Sequence, residues 1–228
     1  MKYEINGTTM PVVEITLDKG ESVFTESGGM SWMDDGIEMQ TNGKGGLGKM
    51  IGRALAGESL FMTTYTATRD AQQIAFVPEM PGKVIPIELK AGQSLIAQRD
   101  AFMVAQEGVE MQMHFRRRLG AGLFGGEGFI MQRLTGPGLV FVEVGGEVVK
   151  RELARGEVLK VDPGHIAMMD TEIDFDVEMV KGLGNMFLGG EGLFISKLTG
   201  PGRVWLQTMP LSNLAKAIYR FLPKSSSS

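Results

Sequence analysis

Gly189-Gly190-Glu191-Gly192-Leu193-Phe194-Ile195-Ser196-Lys197-Leu198-Thr199-Gly200-Pro201-Gly202 is the third appearance of one phrase in this chain. The second reads Gly125-Gly126-Glu127-Gly128-Phe129-Ile130-Met131-Gln132-Arg133-Leu134-Thr135-Gly136-Pro137-Gly138. A fainter first copy runs from Gly57-Glu58-Ser59-Leu60-Phe61 to Thr66. An upstream landmark repeats as well: Leu17-Asp18-Lys19-Gly20-Glu21, Leu89-Lys90-Ala91-Gly92-Gln93 and Leu153-Ala154-Arg155-Gly156-Glu157 each close a strand with polar residues and a turn glycine. Gly20 to Gly57 spans 37 positions, and both Gly92 to Gly126 and Gly156 to Gly190 span 34. Two landmarks in common register identify an internal repeat, and so a fold built from one supersecondary unit used three times.

The unit is made of strands. Val13-Glu14-Ile15-Thr16-Leu17, Ile85-Pro86-Ile87-Glu88-Leu89 and Ile173 to Met179 alternate apolar with polar, the pattern of a strand wet on one face. Leu139-Val140-Phe141-Val142 and Val204-Trp205-Leu206 are apolar on both faces and are expected between two layers or against a partner. The Thr-Gly-Pro-Gly segments at 135–138 and 199–202 suit a type II turn, with Pro presetting φ and Gly taking a positive one; copy one has Ala67-Thr68-Arg69-Asp70 instead and must turn differently. The expected division is 1–71, 72–146 and 147–210 as three β repeats of one continuous body. Residues 211–228 follow as an amphipathic helix, with Ser212 as N-cap and Pro223 as stop, and a serine tail.

Composition removes several functions. A net charge of −4 and a pI near 5.4 lack the basic stripe of a nucleic-acid binder. With no cysteine there are no disulfides, thiolate metal sites or cysteine nucleophiles, which fits a reducing compartment. Neither a signal-peptide core nor an apolar run of spanning length is visible, so a cytoplasmic location is expected. The 32 glycines, about double ordinary usage, match a turn-rich β protein.

The Gly-Glu-Ser-Leu-Phe at 57–61, the two Gly-Gly-Glu-Gly motifs and the Leu-Thr-Gly-Pro-Gly turns resemble the mitochondrial biogenesis family named altered inheritance of mitochondria 24, in its bacterial branch, from about Tyr3 to about Pro210. That resemblance implies an all-β fold similar to the tryptophan RNA-binding attenuation protein class. The resemblance further implies a compact double-stranded β-helix, duplicated within the chain and assembled as a homotrimer. It brings no catalytic residues and no cofactor, and from its relatives only a hint of membrane organisation.

Read for chemistry, the residues favour shape. Gly43 to Met50 has the spacing of a phosphate-binding loop, but Met50 stands where Ser or Thr should ligate magnesium, and no βαβ pattern surrounds it. Glu58, Glu127 and Glu191, each after Gly57, Gly126 or Gly190, could face a cation around a pseudo-threefold axis; lone glutamates are better read as local acceptors for glycine N–H groups. His114 and His165 fall at different places in the repeat, His165 aligning with Gly29 and Ala101, so no zinc or nucleophile–histidine set forms. One is expected in a turn or at the surface, the other half-buried on a strand. Trp32 and Trp205 read as core or interface.

The candidate contact surface is the set of glycine-rich loops. Lys44, Lys49 and Arg53, then Arg116, Arg117 and Arg118 with Phe124, then Lys181 with Phe187, mix cations with apolar side chains; 47–56 has helical spacing. Such loops suit contact with another copy of the chain, and secondarily an anionic membrane surface. The expectation is a non-catalytic, oligomeric scaffold or binding module. Peripheral membrane association and a ligand-binding or enzymatic β-helix are the alternatives.

Overall fold

The computed structural model describes residues 1–26, 28–42, 62–117, 128–179, 194–219 and 221. After β1 (Lys2–Asn6) the chain forms the same six strands three times. Copy one holds β2 (Val12–Leu17), β3 (Ser22–Glu26), β4 (Met30–Met33), β5 (Ile37–Asn42), β6 (Met62–Ala67) and β7 (Gln72–Phe76). Copy two holds β8 (Gly82–Leu89), β9 (Ser94–Gln98), β10 (Phe102–Gln106), β11 (Glu110–Arg117), β12 (Phe129–Thr135) and β13 (Gly138–Gly145). Copy three holds β14 (Val148–Leu153), β15 (Val158–Val161), β16 (Ile166–Asp170), β17 (Asp174–Met179), β18 (Phe194–Thr199) and β19 (Gly202–Gln207), and α1 (Leu211–Tyr219) follows. The all-β expectation holds. Residues 72–76 pair with β2 and β4, so copy one runs on past residue 71.

Copies do not keep their strands to themselves. The sheets are ordered β1-β2-β7-β4, β5-β6-β3-β10-β13-β8, β11-β12-β9-β16-β19-β14 and β15-β18-β17. Each copy therefore splits into two three-stranded halves, and each six-stranded sheet joins half of one copy to half of the next. The joints are β3 with β10 and β9 with β16. All four sheets stay open, without a closed barrel among the described residues.

Alternation then stacks the sheets. Val13, Ile15 and Ile74 of the first sheet share a core with Val23, Tyr65 and Phe141 of the second. Phe24, Val140 and Val142, on the second sheet's other side, meet Leu95, Ala97 and Met168 of the third. Ile96, Met131 and Met169 meet Val177 and Leu198 of the fourth. The two inner sheets are thus buried on both faces, as the doubly apolar stretches at 139–142 and 204–206 require. The outer two are buried on one.

The turn glycines Gly20, Gly92 and Gly156 have φ of +85°, +76° and +78°, and each donates its N–H to the equivalent carbonyl of Ala67, Gly136 or Gly200. A side-chain oxygen of Glu21, Gln93 or Glu157 accepts the N–H three residues back, at 2.9, 3.2 and 2.9 Å. A bulge recurs after Met30, Phe102 and Ile166. The Thr-Gly-Pro-Gly segments are not type II turns: Gly136–Pro137 and Gly200–Pro201 are cis, which puts proline at the third turn position. Their first glycines are needed for close approach, since a Cβ at Gly136 would lie 2.4 Å from the Leu89 carbonyl oxygen and one at Gly200 2.4 Å from that of Ala154. Copy one turns through Ala71 at φ +58°, with the Gln72 side chain accepting from the Thr68 and Arg69 N–H groups.

Candidate functional site

The glycine-rich segments connect β5 to β6, β11 to β12 and β17 to β18. Terminal register pairs Asn42–Met62, Arg117–Phe129 and Met179–Phe194 close these hairpins in the same way. The three segments therefore leave equivalent hairpins in the second, third and fourth sheets. Lys44, Lys49, Arg53, Arg118, Phe124, Lys181 and Phe187 lie outside the described residues. So do the phosphate-loop match, the 47–56 segment and the repeated Gly57, Glu58, Gly126, Glu127, Gly190 and Glu191. Arg116 and Arg117 are exposed on β11. Arg117 is used internally, its guanidinium donating to the Val177 carbonyl with the Asp176 carboxylate 3.9 Å away. It braces the third sheet to the fourth.

The other titratable residues do not converge. His114 sits in the β11 bulge and is exposed by surface area rather than half-buried; partial desolvation by neighbouring groups and the nearby Arg133 charge hold its pKa below the usual value. His165 is half-buried in a one-turn 3-10 helix, Pro163–His165, that occupies the place of Gly29 and Ala101 in the other copies. Its Nδ1 lies 2.7 Å from the Gln207 carbonyl oxygen, which can only accept, so Nδ1 carries the proton. Nε2 is left to accept from the Asn213 amide at 3.4 Å. Gln207 in turn donates to the Gly164 carbonyl at 2.8 Å and accepts from the Gly145 N–H at 3.0 Å, which fastens copy two to copy three. This network is structural.

Sequence reasoning overlooked Glu143. It lies on β13 with 9% of its surface exposed, and accepts the Glu79 N–H at 2.9 Å. Burial, reinforced by the charges of Glu79 and Asp100, pushes its pKa up to about 7. Only its burial distinguishes it, because Glu143 continues an apolar run where alternation had already broken down. No group of three metal-ligating side chains occurs among the described residues.

An open cleft of about 690 Å³ lies between Met1 and Tyr3 on one side and Glu88, Lys90, Gln106 and Glu107 on the other. Trp205 packs against the second-to-third-sheet core, with Lys150 and Arg203 over its ring, whereas Trp32 is 52% exposed. The helix begins one residue before Ser212, with the Pro210 carbonyl accepting from Asn213 and Leu214. Ile218 and Tyr219 are exposed at its end and Phe221 just beyond it, and no helix among the described residues is long and apolar enough to cross a membrane.

Comparison with known proteins bears on this inventory. The family model described as "Mitochondrial biogenesis AIM24" matches residues 3–209. A Streptococcus pyogenes serotype M6 relative, "Uncharacterized protein M6_Spy0233", is 31% identical over 235 residues, which cover 99% of this chain and 93% of the relative. The crystal structure of protein SPYM3_0169 from Streptococcus pyogenes superposes with a TM-score of 0.77 at 26% identity, covering 97% of this chain and 99% of that one.

Proposed function

The chain belongs to the mitochondrial biogenesis AIM24 family, and on that premise we propose that it is a non-catalytic β scaffold that works as an assembly of identical chains. One observation carries the reading. Positions that recur in all three copies, such as Gly20, Gly92 and Gly156 with their capping side chains, build turns and cores. The residues with unusual environments, Glu143 and His165, occur once and bond internally. A repeated module whose conspicuous groups face inward suits binding through surface shape better than reaction chemistry. The attenuation-protein-like class and the threefold assembly implied by the resemblance belong to this reading. Its test is the mass of the full chain in solution by sedimentation velocity across a hundredfold concentration range. Multimers of 24.8 kDa units are expected, and a single-chain mass throughout would overturn the scaffold.

A second reading is supported by α1. Ile218 and Tyr219 are 52% and 76% exposed at the end of a nine-residue helix with no fully buried residue, and Phe221, two residues past it, is 88% exposed. An amphipathic helix with an uncovered apolar stripe and Lys216 nearby suits an anionic lipid surface. Co-sedimentation with phosphatidylserine-containing vesicles is expected to require residues 211–228; binding that survives their removal would refute this role for the helix.

A further inference from the structure

On the face that the third sheet turns toward the second, a cation rests on an aromatic ring. The Arg203 guanidinium lies 5.0 Å and the Lys150 ammonium 5.5 Å from the centre of the Trp205 ring. Arg203 also donates twice to the Asp170 carboxylate, at 2.7 and 2.9 Å. Asp170 chiefly, with Glu152 and Glu172 behind it, holds the guanidinium pKa above its usual value. The third sheet thus fills this place from its own chain.

The second sheet keeps the ring and an acid at the same positions but not the cation. Matching strand pairs make Phe141 the counterpart of Trp205, Leu139 of Arg203, Pro86 of Lys150 and Glu88 of Glu152, and Gln106 that of Asp170. Gln106 accepts the Leu139 N–H at 3.2 Å, just as Asp170 accepts that of Arg203 at 2.8 Å. Leu139, Pro86, Glu88 and Gln106 all line the cleft of about 690 Å³. Its opposite wall carries Tyr3 of β1, the one described strand outside the six-strand repeat. Tyr3 meets Phe141 edge-on at 5.0 Å between ring centres and is 41% exposed. Glu88 and Glu107, both exposed along the cleft, make no ion pair among the described residues.

We propose that this cleft binds a small guanidinium compound, which brings from solution the cation that Arg203 provides within the third sheet. The guanidinium stacks on the Tyr3 ring and donates to Glu88 and Glu107; the Gln106 amide oxygen has a second lone pair to offer. Pro86 and Leu139, in place of Lys150 and Arg203, leave no internal competitor and give the ligand's carbon chain an apolar floor. Lys90, also on the lining, suits a carboxylate at the ligand's other end. The cleft volume falls within the roughly 300–1,000 Å³ of small-molecule sites. This site goes beyond the scaffold reading and does not depend on it.

Calorimetric titration of the full chain with arginine and with citrulline tests the site, because citrulline keeps the α-groups and carbon chain but replaces the guanidinium by a neutral urea. Arginine is expected to bind at least about tenfold more tightly than citrulline. Glu88→Gln combined with Glu107→Gln should weaken arginine binding by about tenfold or more. Both glutamates are exposed, so this variant is expected to melt like the parent. Leu139→Arg with Gln106→Asp rebuilds the third sheet's ion pair in the second and should abolish arginine binding, the cleft being filled from within. If that variant does not fold, the double glutamine variant decides alone. Equal affinity for arginine and citrulline, parental affinity in the double glutamine variant, or no saturable heat with arginine at about 10 mM would each overturn the site.

Discussion

The inner and outer sheets are built from the same strands and differ in what their positions ask of the sequence. Phe24 in the second sheet and Ile96 in the third sit at one repeat position, almost fully buried, and Lys160 takes that position in the fourth. Val104 and Met168 are buried in the second and third sheets, and Trp32 holds their place, exposed, in the first. The backbone module is indifferent to layer; the side chains are not. Strand pairing and turns set the repeat, and burial on the second face sets residue type within it.

A lysine moved inward should show the difference between the layers most strongly. Ile96→Lys places an ammonium in the dry core between the third and fourth sheets, with no carboxylate built to receive it. A loss on the order of 4 kcal/mol is expected, the class of effect seen when an unpaired charge is buried. The reciprocal Lys160→Ile should change the stability of the chain by less than about 1 kcal/mol, since exposed substitutions are nearly neutral. Denaturant unfolding of both measures the ratio. Similar losses would mean that the layers do not differ as described.

Next in size is the buried carboxylate of the second sheet. The folded chain keeps the Glu143 proton up to about pH 7, whereas the unfolded chain releases it near the ordinary value of 4.5. Between those values the folded state binds more protons, so stability falls as pH rises from about 4.5 to about 7 and then levels off. The whole swing is about 3 kcal/mol at most. Glu143→Gln keeps an acceptor for the Glu79 N–H and should flatten the profile while raising stability at pH 8. An unchanged slope in thermal melts between pH 5 and pH 8 would show that Glu143 ionises freely in the fold.

Much of the architecture was legible because it is local. Alternation in 13–17, the turn glycines and the equivalence of Gly29, Ala101 and His165 follow from spacing alone, and the strands and the 3-10 turns fall where that spacing puts them. What stayed hidden is non-local. Nothing near Phe24 announces that β3 pairs with β10 of the next copy, since pairing across copies depends on how halves fold over one another. The cis geometry at Pro137 and Pro201 was obscured because Thr-Gly-Pro-Gly satisfies two turn types equally well on paper. Glu143 was hidden in an apolar run. The loop candidates at 44–53 and 181–187 fall outside the described residues, while Arg117 acquires a role as a brace between layers.

The smallest predicted effect tests whether the copies are equal where layer does not matter. Each turn uses a side-chain oxygen to accept one backbone N–H, so Glu21→Ala, Gln93→Ala and Glu157→Ala should each cost about 1 kcal/mol. Acid separates them further. The amino terminus donates to Glu21 and holds its carboxyl below the usual value, so the stabilisation is present above the ordinary carboxylate pKa and fades as pH falls through the depressed one. Gln93 does not ionise, and the turn at Lys90 should ignore the same titration. Amide exchange at Asp18 should therefore quicken relative to Lys90 once Glu21 protonates, after correction for intrinsic pH dependence. Equal behaviour of the two amides would mean that the terminal ammonium adds nothing to the first copy's turn, leaving it equivalent to the second.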